Sequence, residues 1–167
     1  MSRVDCTYVT RNTRPLLRLA LCVLGLVLVA GCPEPVPEGP PVILEVGSGL
    51  EFTPIESGTV LHLVRGSQGG QHVYVSLRAW DMSVYRNTVE LSLERVSDGK
   101  RVSVGYEVKL RFDAPMAAGE PALLEGLLLV VPDASAAVGQ QVRLKASIES
   151  DEGHKASDTR TTTVEWQ

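Results

Sequence analysis

The sequence predicts an all-β protein, an antiparallel β-sandwich, set behind a targeting segment and a proline-rich tether. Three observations carry that expectation. Apolar and polar residues alternate with a period of two from Arg101 to Phe112, as in a strand with one buried and one wet face. Turn sequences such as Ser97-Asp98-Gly99-Lys100 separate runs of this kind, as antiparallel hairpins require. The longest unbroken apolar run, Leu19 to Ala30, lies near the N-terminus, ahead of the Pro-rich PEPVPEGPP.

The N-terminal segment has the parts of an export signal. Arg3, Arg11, Arg14 and Arg18 make a basic n-region, and the twelve residues from Leu19 to Ala30 make an apolar h-region. Twelve are too few for a spanning helix, which needs roughly 20 apolar residues. Val29-Ala30-Gly31-Cys32 then resembles the bacterial lipobox, with Val29 where that family more often has Leu. The resemblance implies cleavage after Gly31 and a thioether between the Cys32 sulfur and diacylglycerol, the Cys32 thiolate being the nucleophile. Residues 1–31 are then a lipoprotein signal peptide. An Asp after the lipidated Cys tends to mean inner-membrane retention in enteric-type bacteria. Pro33 stands there instead, so the resemblance implies a cell-envelope protein anchored at the outer membrane.

Lipidation changes the cysteine and charge arithmetic. Cys6 and Cys22 leave with the signal and Cys32 carries lipid, so the mature domain is expected to hold no free thiol, disulfide or Cys-based metal site. Loss of residues 1–31 leaves 12 basic and 19 acidic residues, a net of −7. A charge of that sign argues against nucleic acid as a partner and against electrostatic adhesion to anionic headgroups. The membrane is then held through the acylated Cys32, and stable anchoring of this kind takes more than one chain. Residues 32–41, the lipidated Cys and a proline-rich linker, form an extended spacer of about 3.1 Å per residue.

Residues 42–167 are enough for one domain with one core. Short apolar runs at Ile43 to Val46, Leu50 to Ile55 and Val60 to Val64 predict the first strands. Val73, Val75, Leu77 and Ala79 alternate with polar and aromatic neighbours, and Val89, Leu91 and Leu93 alternate with Glu90, Ser92 and Glu94. Asp98-Gly99 suits a type I′ turn between the Val89 and Val102 strands. Leu123 to Val131, bounded by Pro121 and Pro132, predicts a central strand with Gly126 at a bulge. Val142, Leu144, Ala146 and Ile148 predict the next strand, and SDEGHK joins it to a Thr-rich last strand from Thr159 to Trp166.

Seven to nine short strands, few helical signals and no internal repeat predict an immunoglobulin-like sandwich. The stretch from Val138 to Trp166, VGQQVRLKASIESDEGHKASDTRTTTVEW, resembles the last hairpin of bacterial immunoglobulin-like domains. The Cys…Trp…Cys pattern of antibody domains is missing, as is the Tyr of a tyrosine corner.

Chemistry is sparse. His62, His72 and His154 are not paired at metal-ligand spacing, and Asp151, Glu152 and His154 suit a polar turn better than a calcium loop. Gly47-Ser48-Gly49 and Gly66-Ser67-Gln68-Gly69 do not fit a nucleophile elbow, and RGSQGG lacks the Lys-Ser/Thr of a phosphate loop. No enzyme, cofactor or metal is expected. The richest stretch is SQGGQHVYVSLRAW, from Ser67 to Trp80. Its alternation puts His72, Tyr74, Arg78 and Trp80 on the face opposite the core residues, a possible binding face on which aromatics stack on sugars or anchor a protein. The plainer alternative tucks Trp80 under a loop and spends Tyr74 on cross-strand pairs. Gly66-x-Gln68-Gly69-Gly70-x-His72-x-x-x-Ser76-Leu77-Arg78 is similar to a stretch in lipoproteins of GC-rich Gram-negative bacteria, which brings no assigned activity. The sequence thus predicts a lipid-anchored, non-catalytic interaction or structural module whose partner is an envelope protein or polysaccharide. The alternative is a carbohydrate-binding module using the aromatic strand face.

Overall fold

The structure, a computed structural model, describes residues 41–82 and 86–167. Gly31, Cys32, the signal and all but the last residue of the linker lie outside the described residues. The described residues form nine strands: β1 (Ile43–Ser48), β2 (Thr53–Pro54), β3 (Val60–Arg65), β4 (Gln71–Trp80), β5 (Arg86–Arg95), β6 (Tyr106–Arg111), β7 (Ala122–Val130), β8 (Gln141–Ser150) and β9 (Lys155–Trp166). A single 3₁₀ turn, Ala134–Ala136, separates β7 from β8. Among the described residues no helix is long and apolar enough to cross a membrane.

The strands form one curled, mixed sheet in the order β2-β1-β4-β3-β9-β8-β5-β6, with β7 on the other edge of β4. The expectation of a purely antiparallel sheet is corrected at one place. β3 runs parallel to β9, from Val60 beside Thr163 to Leu63 beside Trp166. The cause is a shared edge: β1 pairs with β4 from Val75 to Trp80, while β3 takes the same edge from Gln71 to Val73. β3 thereby leaves β4 early and continues beside the last strand.

The core follows the predicted alternation closely. Val73, Val75, Leu77 and Ala79 of β4 are buried with Val89, Leu91 and Leu93 of β5 and Val142, Leu144, Ala146 and Ile148 of β8. Period-two burial of this kind is what one apolar face of a strand needs. Leu123 to Val131 is a strand, and Gly126 has φ +68° opposite a register shift between Val75 and Leu77, the predicted bulge. It is not central, however. Among the described residues β7 has a ladder only to β4, and its outward Leu128 and Val130 remain 49% and 42% exposed.

The buried Ser76 holds that bulge together. Its Oγ donates to the Gly49 carbonyl (2.8 Å) and accepts from the Gly126 N–H (3.1 Å). A bulge disrupts the ladder locally, and this hydroxyl supplies the acceptor. We expect Ser76→Val, which strands both backbone groups, to cost about 1–3 kcal/mol. Urea unfolding with an unchanged slope would measure it.

Three further expectations change. The predicted 101–112 strand is interrupted at Ser103–Gly105, where the register against β5 shifts from Arg101 beside Glu94 to Tyr106 beside Leu91. The buried Ser103 Oγ accepts from Leu93 N–H at 3.0 Å across the break, while Val104 N–H turns to the Val130 carbonyl at 2.8 Å. Val104 lies within this break and Val108 on the edge strand β6; both, predicted to be buried, are 50% and 42% exposed. Of the run from Leu50 to Ile55, only Thr53–Pro54 is strand.

The β5–β6 turn is wider than type I′. Only Gly99 has a positive φ, and Arg95 N–H reaches Lys100 O while Gly99 N–H reaches Arg95 O. Asp98 accepts from Arg95 Nε and Nη2 and from Lys100 N–H. The Arg95 hydrogen bonds, followed by the Lys100 N–H, hold the Asp98 carboxyl down at about 2. A depressed carboxyl stabilises the fold above its unfolded pKa and loses that contribution as pH falls through the folded value. The contribution is therefore lost between about pH 4 and about pH 2, and the amide shifts of Arg95 and Lys100 in the folded protein should titrate with a midpoint at about pH 2. Asp98→Asn should remove that titration.

Candidate functional site

The outward face of β4 is where the predicted site residues meet. β1 lies antiparallel to β4 with Glu45 directly across from Arg78 and Ile43 across from Trp80. Same-face neighbours across a ladder sit about 4.5–5.5 Å apart at Cβ, so Glu45 meets Arg78 by register alone. Arg78 Nε donates to Glu45 Oε2 at 2.7 Å, and Nη2 lies 2.6 Å from the same oxygen.

The Arg78 guanidinium is also stacked between two rings. Its centre lies 4.4 Å from the Phe52 ring centroid and 5.1 Å from that of Trp80, both within the range of cation–π attraction. Trp80 comes from the same face of β4. Phe52 is delivered by the turn after β1, where Gly49 has φ +97° and Phe52 N–H donates to Glu125 Oε1 at 2.6 Å. A Cβ on Gly47 would lie 2.8 Å from a Phe52 ring carbon and 2.6 Å from the Thr53 carbonyl oxygen. Glycine at 47 is what lets the ring approach.

His72 and Tyr74 form a second pair, edge to face at 5.0 Å and 85°. The buried Ser76 lies between the two pairs along the strand. The four predicted residues therefore share a face but do not converge on a point. Arg78 and Trp80 are engaged with each other.

Tyr74 opens onto a hollow of about 690 Å³ lined also by Leu50, Thr53, His62 and Val64. It exists because β1 and β3 part company along the β4 edge. A more polar hollow of about 660 Å³ lies over β5, β6, β8 and β9, lined by Glu90, Lys145, Ser147 and Thr159 among others. Neither Glu45 nor Phe52 is legible from sequence as part of the site, because their meeting with Arg78 depends on the β1–β4 register and on the Gly47 approach.

A second charged cluster closes the side of the sheet where β1 faces β9. Asp158 and Arg160 share the face of β9 that carries the buried Thr162 and Val164. Asp158 Oδ2 accepts from Val46 N–H at 2.9 Å and from Arg160 Nε at 2.8 Å. Arg160 Nη2 lies 3.8 Å from Glu45 Oε1, which links this cluster to Arg78. The hydrogen bond that Arg160 donates to Asp158 raises the Arg160 pKa. An otherwise open strand edge is thereby capped by a side chain, one of the ways proteins prevent unwanted pairing.

The SDEGHK turn is internally occupied. Ser150 Oγ accepts from the N–H groups of Glu152 and His154, and Asp151 pairs with Lys109 Nζ at 2.7 Å. Among the described residues, no three His, Cys, Asp or Glu side chains are grouped to hold an ion. No protein-family model, curated protein or solved structure matches this chain.

Proposed function

We propose that the chain is a lipid-anchored, non-catalytic interaction module of the cell envelope, an immunoglobulin-like sandwich carried on a short tether and anchored through Cys32 at the outer membrane. Pairing supports the sandwich. β1, β4 and β7 associate as strands A, B and E do in immunoglobulin domains, and β5, β8 and β9 associate as C, F and G. The lipobox and the proline-rich run of the sequence support the anchor.

The observation that carries the interaction role is an exposed apolar group on the β7 side. Val104, Leu128 and Val130 are 50%, 49% and 42% exposed, and the Val104 N–H to Val130 O bond holds two of them side by side. Contiguous exposed apolar surface of this kind marks contact sites. Arg78 is meanwhile held by Glu45 and by the Phe52 and Trp80 rings, which favours a structural use for it. A photo-crosslinking residue placed at Leu128 should capture a discrete envelope component in intact cells, identified by mass spectrometry, while the same residue at Ser157 should not. Equal capture at both positions, or none at either, would refute the proposal.

The hollow beside Tyr74 favours a second reading, a carbohydrate-binding module. Here Tyr74 would supply the stacking ring, since Trp80 is held against Arg78. Tyr74→Ala should then abolish retention on a glycan array at unchanged Tm; unchanged retention would eliminate that use of the hollow.

A further inference from the structure

The open edge of β6 is self-complementary, and we infer that two copies of this chain associate by pairing β6 with β6 antiparallel, Val108 beside Val108. Among the described residues β6 has a ladder only to β5. β7 is bonded to Val104 and Asp113, on either side of β6. Between those points the outer edge of β6 has no strand partner among the described residues and is a ready template for another strand. A two-fold axis makes such an interface isologous, so each residue meets its symmetry partner.

Charge selects the register. In a continuous antiparallel sheet, residues directly opposite lie on the same face. Centred on Val108, Glu107 faces Lys109 of the second copy twice over, Tyr106 faces Leu110, and Arg111 faces Gly105. No like charges meet. Centring on Glu107 would oppose two carboxylates, and centring on Lys109 would oppose two ammonium groups.

The single chain leaves these charges badly placed. Glu107 lies directly across from Glu90, and Arg111 directly across from Arg86, pairings that destabilise a ladder. Among the described residues Glu107 has no ion-pair partner. Lys109 rests on Asp151, with both side chains more than half exposed, a pair worth little in water. Pairing of β6 gives Glu107 a cation and covers Val108. This association is independent of the Cys32 anchor and of the Leu128 surface.

The test uses the full chain with Cys6 and Cys22 changed to Ser, oxidised in isolated membranes. Val108→Cys should form a disulfide-linked dimer, and Glu107→Cys should not. A mixture of Glu107→Cys and Lys109→Cys chains should cross-link to each other. In detergent micelles, Glu107→Lys and Lys109→Glu should each raise the dimer dissociation constant about tenfold, and the double exchange should restore it. Absence of the Val108 cross-link, equal cross-linking at position 107, or a double variant no tighter than the single ones would overturn the inference. Position 108 is exposed, so the cysteine does not threaten the fold.

Discussion

Phe112→Ala lowers the unfolding free energy by about 3–5 kcal/mol. Phe112 is the largest fully buried side chain among the described residues. It sits just after β6 and next to Asp113, whose N–H and carbonyl bond to Leu123 at 2.7 and 3.1 Å, so its ring packs where the chain crosses from β6 to β7. Removing the ring loses its transfer energy and leaves a cavity that rigid strands cannot close. A loss of that size is a large share of the roughly 5–15 kcal/mol that holds most domains. Val108→Ala supplies the contrast. Both residues fall on one predicted strand face, but Val108 is exposed, and its truncation should shift stability within about 0.5 kcal/mol. Urea unfolding of the two variants reads the difference directly; a similar loss at both positions would contradict the exposure of Val108 at the β6 edge.

Asp158→Ala should cost about 1–3 kcal/mol. Most of this comes from Val46 N–H, on the edge of β1 away from β4, which loses its acceptor. The Arg160 ion pair contributes less, because Arg160 is 39% exposed and water screens it. Asp158→Asn keeps an acceptor at the same place and should recover most of the loss. Amide exchange at Val46 provides a local readout. It should speed up in the Ala variant and stay slow in the Asn variant, whereas equal behaviour would mean that the carboxylate does not cap this edge.

The parts of the fold that sequence conveys are those governed by local periodicity. Val73, Val75, Leu77 and Ala79 were expected inside from alternation alone, and they are buried. Gly126 was expected at a bulge, and its positive φ and register shift place one there. Alternation says which side of a strand is apolar, but it does not say whether another layer covers that side. Val104 and Val108 alternate without fault and still meet solvent, because Ser103–Gly105 diverts the chain and β6 lies at an edge. The β3–β9 parallel pair is likewise invisible to periodicity, since it arises from two strands competing for one edge of β4.

The candidate site was legible to the same degree. Period two put His72, Tyr74, Arg78 and Trp80 on one face. It carried no information on Glu45 and Phe52, which come from β1 and its following turn and occupy the guanidinium. The Asp158 cap also lay hidden, because a Thr-rich strand with an inward carboxylate looks from sequence like an ordinary polar strand end.

The central claim is a folded β domain held to the membrane by lipid on Cys32. Metabolic labelling with a palmitate analogue tests it most directly. The wild-type chain and a Cys6→Ala/Cys22→Ala variant should take up the label, and Cys32→Ala should not. Equal labelling of Cys32→Ala, or no labelling of the wild type, would contradict the account.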